Sequence, residues 1–364
     1  MKQPPSTAIR PLLAVLCALA SVGELPAAEP SQEAGESYRA GYELMSIRDF
    51  RGAASEFERA VAADSTYGDA YFALGQSYLT LNQYGRAVGA LDKALQIGLS
   101  NPDLEKRLPS RLADAYKKWG VTSLSQRKFR EAISAFETSL QLQPDDARMQ
   151  FNLGLCYGQL HESAAAQAAF ERAIDVDPTY VKPYKSLGDI HRRARVFGRS
   201  LEFYHGALAI DSTFTEARAG VALVQIESRD FEAALKTLER LVRIDSTSAY
   251  GHLLLGHTLN QLKRYHEAEK PLRASIDLDG DNGEAHFRLA ESYYGTGEYR
   301  QAVKAGVAAT RKRRDYRAAQ VVLADAYAEL GETTNARTWY LEAASDSRFR
   351  DYCNHRIELL AKTR

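Results

Sequence analysis

Residues 71–95 read YFALGQSYLTLNQYGRAVGALDKAL, and two kinds of position alternate in them: small residues at Gly75, Ala87 and Ala94, and large ones at Tyr71, Leu74, Tyr78 and Tyr84. Steps of three and four between the large residues suit a helix. The polar stretch LNQYGRA breaks the run, so these residues predict two short helices joined by a tight turn.

The spacing repeats along the chain. Small residues recur at Gly41, Gly75, Gly120, Gly154, Gly188, Ala222, Gly256, Ala290 and Ala324, at intervals of 34 except for one of 45. Twelve residues after each stands Ala53, Ala87, Ala132, Ala166, Ser200, Ala234, Ala268, Ala302 or Ala336. Seven further on comes Ala60, Ala94, Ser139, Ala173, Ala207, Leu241, Ser275, Ala309 or Ala343. Rings at Phe57, Phe136, Phe170, Tyr204 and Tyr340 fall sixteen after the first small residue. Small residues let two helices approach closely, and the rings fill the space beside them. Turn chemistry such as QPDD, VDPTY and IDSTF closes each period.

This pattern resembles the tetratricopeptide repeat. Its aromatic, Leu, Gly, Tyr, Ala and second Ala stand at Tyr71, Leu74, Gly75, Tyr78, Ala87 and Ala94, and the fourth repeat matches at Leu153, Gly154, Tyr157, Ala166, Phe170, Ala173 and Pro178. The resemblance covers about residues 34–349. It implies an all-α, right-handed superhelical solenoid of nine helix-turn-helix repeats, whose concave groove, lined by the first helix of each repeat, holds peptide segments of partner proteins. Leu241 replaces a small residue in repeat six and Gly306 an apolar one in repeat eight, so both repeats are expected to pack less tightly. An insertion near residues 98–110 predicts an early start for the first helix of repeat three, with Pro109 near that start or kinking it. Residues 350–364 are expected to form a helix capping the open end.

Residues 1–28 differ from the rest. Lys2 and Arg10 precede an apolar run from Leu12 to Val22, and small residues follow, as in a secretory signal peptide. Cleavage could follow Ala20, Ala27 or Ala28, and residues 29–33 would form a short linker. The run is about half of the roughly 20 residues a membrane-spanning helix needs, so no transmembrane helix is expected in the mature chain. An uncleaved anchor, or lipidation at Cys17, is the alternative. Past Cys17, only Cys156 and Cys353 remain, too far apart in sequence to suggest a disulfide framework or a metal site. The expected compartment is a bacterial periplasm.

The chain carries 47 Lys and Arg against 47 Asp and Glu, so no overall field steers it toward nucleic acid. No phosphate loop, dinucleotide fingerprint or GxSxG appears, and the repeats leave no room for a catalytic domain. The expected function is therefore a noncatalytic scaffold or adaptor without cofactor or metal, binding other proteins. A glycan-binding accessory subunit of an envelope assembly or export system is the alternative. The candidate groove residues are basic and aromatic. Lys182, Lys185, Arg192 and Arg193 share one helical face in KPYKSLGDIHRRA, and Lys117, Phe151 and Asn152 belong to the same wall by family register. Some chaperone-binding members of the family clamp a terminal carboxylate with five side chains. Those positions hold Lys117, Val121, Asn152, Lys182 and Ser186 here, of which Lys117, Asn152 and Lys182 match. An acidic or C-terminal peptide segment is the expected ligand. Tyr38, Tyr42 and Phe72 in repeats one and two, with Tyr250, Phe287 and Tyr294 in repeats seven and eight, form a second, aromatic set at groove-facing positions.

Overall fold

The computed structural model describes residues 29–362, so the expected signal peptide lies outside the described residues. The chain forms two compact units, one ending at Pro178 and the other starting at Thr179. Among the described residues there are only helices and turns. The first unit contains α1 (Gln32–Ser46), α2 (Phe50–Ala63), α3 (Gly68–Thr80), α4 (Tyr84–Ile97), α5 (Pro102–Ser125), α6 (Phe129–Leu142), α7 (Ala147–Gln159) and α8 (Ser163–Val176). The second contains α9 (Val181–Arg193), α10 (Phe197–Ile210), α11 (Thr215–Glu227), α12 (Phe231–Ile244), α13 (Ala249–Gln261), α14 (Tyr265–Leu278), α15 (Gly283–Gly295), α16 (Tyr299–Lys312), α17 (Arg317–Glu329), α18 (Thr333–Ala343) and α19 (Ser347–Lys362). Odd-numbered helices up to α17 are the first helices of the nine repeats, and each packs most closely on the even-numbered helix after it. No described helix is long and apolar enough to cross a membrane.

The small registers set the distance within each pair. A Cβ added at Gly188 would lie 2.5 Å from the Tyr204 ring, and one at Gly41, Gly120 or Gly154 would meet Phe57, Phe136 or Phe170 as closely. Serines at the other small registers add hydrogen bonds across the pair. Ser200 donates to the Gly188 carbonyl (2.8 Å), Ser139 to Ala113 (2.7 Å) and Ser275 to Ala249 (2.9 Å).

Each repeat turns in the same way. After α9, the Arg195 amide donates to the Arg192 carbonyl and the Val196 amide to His191, the double bond of a Schellman motif. This turn needs a left-handed residue. Gly297 and Gly331 supply it in repeats eight and nine, whereas Arg48, Asn82, Arg127, His161, Arg195, Arg229 and Lys263 adopt it in the first seven at φ of 58–65°.

The two departures behave differently. In repeat eight, α15 and α16 pack as closely as any pair among the described helices, and Gly306 lies against Leu323 of α17, where an added Cβ would stand 3.1 Å from the leucine Cβ. The looseness expected there is not found. In repeat six Leu241 is fully buried and presses on Gly251 of α13, where a Cβ would stand 2.4 Å from the leucine methyl. As expected, α11 and α12 of repeat six pack less closely than the helix pair of any other repeat, and α11 and α13 stand further apart than α9 from α11 or α13 from α15.

The insertion lengthens α5 to 24 residues, with Asn101 as its cap, Pro102 in its first turn and Pro109 inside it. Leu104, Leu108 and Leu112 enter the core, and buried Asp69 of α3 accepts hydrogen bonds from the Ser100 and Asn101 amides. The end cap starts slightly earlier than expected, at Ser347. It buries Cys353 beside Tyr340 and Ala343. Both cysteines are free and buried, and burial pushes the Cys156 thiol up to about 11.

Two stability outcomes follow from this packing. Gly188→Ala should cost about 1–3 kcal/mol by overpacking against Tyr204, whereas Gly89→Ala, on an open face of α4, should be neutral or gain up to about 1 kcal/mol. Arg229→Gly should gain roughly 1 kcal/mol by removing left-handed strain at an exposed, unpaired side chain. Urea midpoints of the three variants against the parent check all three signs.

Candidate functional site

In the first unit, the expected groove residues are already engaged. Lys117 of α5 pairs with Asp146 at 2.5 Å. Asp146 also caps α7 by accepting from the Met149 amide. Burial would raise the Asp146 carboxyl, but Lys117 and the backbone amides outweigh it and hold the group below its usual range. Phe151 lies against Phe170 with ring centroids 5.5 Å apart, Asn152 is half-buried, and Val121 is exposed. Tyr38 and Tyr42 form one cluster with Phe57 and Tyr67. Burial, then the hydrogen bond to Tyr42, drives the Tyr38 phenol well above its usual range, and burial lifts Tyr67 to about 12. Phe72 does not face a groove. It is fully buried, in the same core cluster as the leucines of the extra turns of α5.

The second unit carries the basic face of α9, and its charges separate. Lys182 and Arg193 are exposed and make no ion pair among the described residues. Lys185 pairs with Asp189 one turn on, at 2.7 Å, and Arg192 pairs with Glu227 at the end of α11. Asp189 also accepts from the Tyr204 hydroxyl at 2.6 Å. Burial works against the Arg192 charge, but hydrogen bonds to Glu227 and Tyr204 outweigh it and raise the group. Two of the four cations of the face, Lys185 and Arg192, are therefore paired within the chain, and Lys182 and Arg193 are not.

Beside this network lies a cavity of about 400 Å³, lined by Lys185, Asp189, Arg192, Ala219, Leu241 and Tyr250 among others. Leu241 and the small Ala219 form part of its wall, while the Tyr204 ring takes the space at Gly220. Tyr250 stands half exposed at the first turn of α13.

The equivalent surface in repeat nine is filled. Asp325 of α17 stands at the register of Asp189, and Tyr340 at that of Tyr204. Asp325 accepts from Tyr340, as Asp189 does from Tyr204, and additionally from Tyr352 of α19 at 2.7 Å. Arg356 of α19 lies 3.5 Å from the same carboxylate and donates to the Tyr340 oxygen at 3.0 Å. Burial, the largest influence, leaves the Asp325 carboxyl above its usual range despite these donors.

Further along the second unit, the first-helix face is closed by its own side chains. Phe287, an expected groove residue, is buried instead. Its ring meets Tyr316 at 4.9 Å, and the Arg288 guanidinium lies 4.7 Å above it. Arg288 is held between Glu284 and Glu291 at 2.7 and 2.9 Å. Asn260 donates to the Arg288 carbonyl and accepts from Ser292. Tyr204, Ala219, Glu227 and Leu241 were not among the expected site residues. The signal for the first was present, because a tyrosine at the ring register occurs with an aspartate fifteen residues before it in both repeats five and nine.

His257 of α13 gives this region a pH dependence. Burial, then Arg288, pushes its imidazole down to about 4, and its Nδ1 is buried without a partner. An unfolded histidine titrates near 6.5. As pH falls from about 6.5 to 4, the unfolded chain takes up a proton that the folded chain refuses, so stability falls across that window and levels off below it. Burial of His286 acts in the same direction. The His257 share should be on the order of 2–3 kcal/mol. Urea midpoints at pH 7 and pH 4.5 should differ markedly less in His257→Gln than in the parent.

Profiles of the tetratricopeptide repeat family match this chain, one at residues 38–102, 222–283 and 287–350 and a second at 123–188. Among solved structures, pilF of Pseudomonas aeruginosa is 15% identical with a TM-score of 0.53, over 60% of this chain and 99% of that one. The C-terminal part of a TPR repeat-containing protein from Cytophaga hutchinsonii is 14% identical with a TM-score of 0.51, over 63% and 94%. At such identities the likeness concerns the fold alone. No curated protein matches the chain. The repeat registers, the helix-turn-helix pairs that they build and a family profile that spans more than half of the residues agree that the chain belongs to the tetratricopeptide repeat family.

Proposed function

We propose that the protein is a noncatalytic interaction scaffold of the cell envelope that holds a segment of a partner protein on the first helices of repeats five to seven. Membership of the repeat family supports protein binding, and the signal-like residues 1–28 support export, with a bacterial periplasm as the compartment.

The observation that carries the reading is the open cavity at Asp189, set against the filled one at Asp325. In repeat nine a helix of the same chain supplies Tyr352 and Arg356 to the aspartate. Beside repeat five the registers of Tyr352 and Arg356 hold Glu216 and Gly220, and the cavity of about 400 Å³ is left for another chain. The chemistry that fits is a segment carrying a tyrosine or arginine donor beside an apolar side chain, which would seat against Leu223 and Tyr250. A purely acidic segment fits less well, because Lys185 and Arg192 already have carboxylate partners. Donors that bind a desolvated carboxylate gain more than donors at an exposed one, and an aromatic anchor in a pocket adds buried area.

A photocrosslinking residue at Tyr250 should capture a discrete partner in the native envelope. Ala219→Trp, which fills the cavity, should abolish that adduct without lowering the melting temperature. An adduct that survives the tryptophan in a folded protein rules the cavity out as the docking point.

A further inference from the structure

A second cleft lies away from the groove network, between the loop that joins α10 to α11 and the C-terminal half of α12. It measures about 550 Å³, and its wall includes Ser212, Lys236, Glu239, Arg240 and Arg243. Behind it stands Arg218 of α11, only 6% exposed.

The register of Arg218 has a structural task in several repeats. Arg218 donates to the Ser212 carbonyl, His252 contacts the Ser246 carbonyl at 3.1 Å, and Gln320 donates to the Arg314 carbonyl at 3.0 Å. Each of these bonds ties the inter-repeat loop to the following first helix. A neutral side chain suffices for it, so the loop does not explain a buried guanidinium.

The neighbouring register sharpens the anomaly. Three repeats on, Gln320 also donates to Glu342 at 3.1 Å. In repeats seven and eight that second register holds Ala274 and Ala308, and in repeat six it holds Arg240. A buried cation thus faces another cation where repeat nine has an amide and a carboxylate. Burial, then Arg240, pushes Arg218 below its usual range. Its Nε is buried without a partner, and neither Arg218, Lys236, Arg240 nor Arg243 pairs with a carboxylate among the described residues. Asp211 in the same loop is turned to Thr213, whose amide and hydroxyl it accepts. Four cations against Glu239 leave an uncompensated charge that a single carboxylate would not balance.

We propose that this cleft in repeat six binds a phosphate group, held by Arg240, Arg243 and Lys236 at the mouth and by the field of Arg218 behind them. A multiply charged oxyanion supplies both the missing counter-charge and acceptors for guanidinium forks, which match phosphate geometry. The group would come from a free phosphorylated molecule or from a lipid headgroup. The site is independent of whether the groove at Asp189 holds a peptide.

The test uses the full mature chain with inorganic pyrophosphate as the probe. The parent should bind it by calorimetry and melt at a higher temperature in its presence. Arg240→Glu and Arg243→Glu should each weaken binding by tenfold or more, while Arg300→Glu, an exposed change of equal charge elsewhere, should change it less than twofold. Arg240→Glu should also melt higher than the parent without any anion, since it converts a repulsive pair with Arg218 into an attractive one. Sedimentation with vesicles of phosphatidylcholine with or without phosphatidic acid assigns the source: Arg240-dependent capture by the acidic vesicles indicates a headgroup, and pyrophosphate binding alone a free ligand. No binding of either probe, or equal loss in the Arg300 control, overturns the proposal.

Discussion

An aromatic ring seated on a glycine Cα is the contact on which the rest of this structure depends. At Gly41, Gly120, Gly154 and Gly188 the missing Cβ is the space that the ring of the second helix occupies. The contact sets how closely the two helices approach, and repeating it at the same register sets the period. It also places chemistry on the first-helix face. Phe57, Phe136 and Phe170 end in carbon, and the residues after their glycines are Tyr42, Val121 and Leu155. Tyr204 and Tyr340 end in a hydroxyl that must find an acceptor when buried. In both repeats an aspartate, Asp189 or Asp325, supplies it. The core residue thereby fixes a carboxylate on the first-helix face.

The helix pairs, their turns and the long α5 were legible in the sequence because they depend on local spacing. The left-handed residues were not, because arginine, lysine and histidine fill the turn position in most repeats where glycine would have announced it. The state of the charges was also hidden. Lys117 finds Asp146 and Arg192 finds Glu227, each about one period away in sequence. A single helix face shows the cation and omits the carboxylate that the next repeat brings to it. Phe72 and Phe287 were misplaced for a related reason. Both occupy a groove-facing register, but Phe72 joins the leucines of α5 in the core, and the turn before α17 covers Phe287 with Tyr316.

Gly306 and Leu241 show that a departure from a repeat consensus has no fixed meaning. A glycine in place of a large residue left repeat eight as closely packed as any other, with Leu323 of the next repeat against it. A leucine in place of a small one could not be absorbed in the same way, since Gly251 had already given up its side chain to admit it. α11 and α12 of that repeat pack less closely than the pair of any other repeat. Interiors packed to crystal density transmit a volume change of this kind rather than dissolve it.

Repeat six therefore gathers what the other repeats lack. A solenoid register must satisfy only its own loop or helix contact, so its chemistry can change wherever that contact survives. Arg218 keeps the bond to the loop that a histidine or glutamine makes elsewhere, and Leu241 keeps the core closed as an alanine or serine does. Each substitution alone costs little structure. The two clefts of repeat six each lie where a second register departs beside the first: Ala219 beside Leu241, and Arg240 beside Arg218. Both pairs draw on α12, which carries Leu241 on its buried face and the uncompensated cations on its outer one. In an array whose repeats share a single packing rule, such paired departures set repeat six apart from the repeats around it.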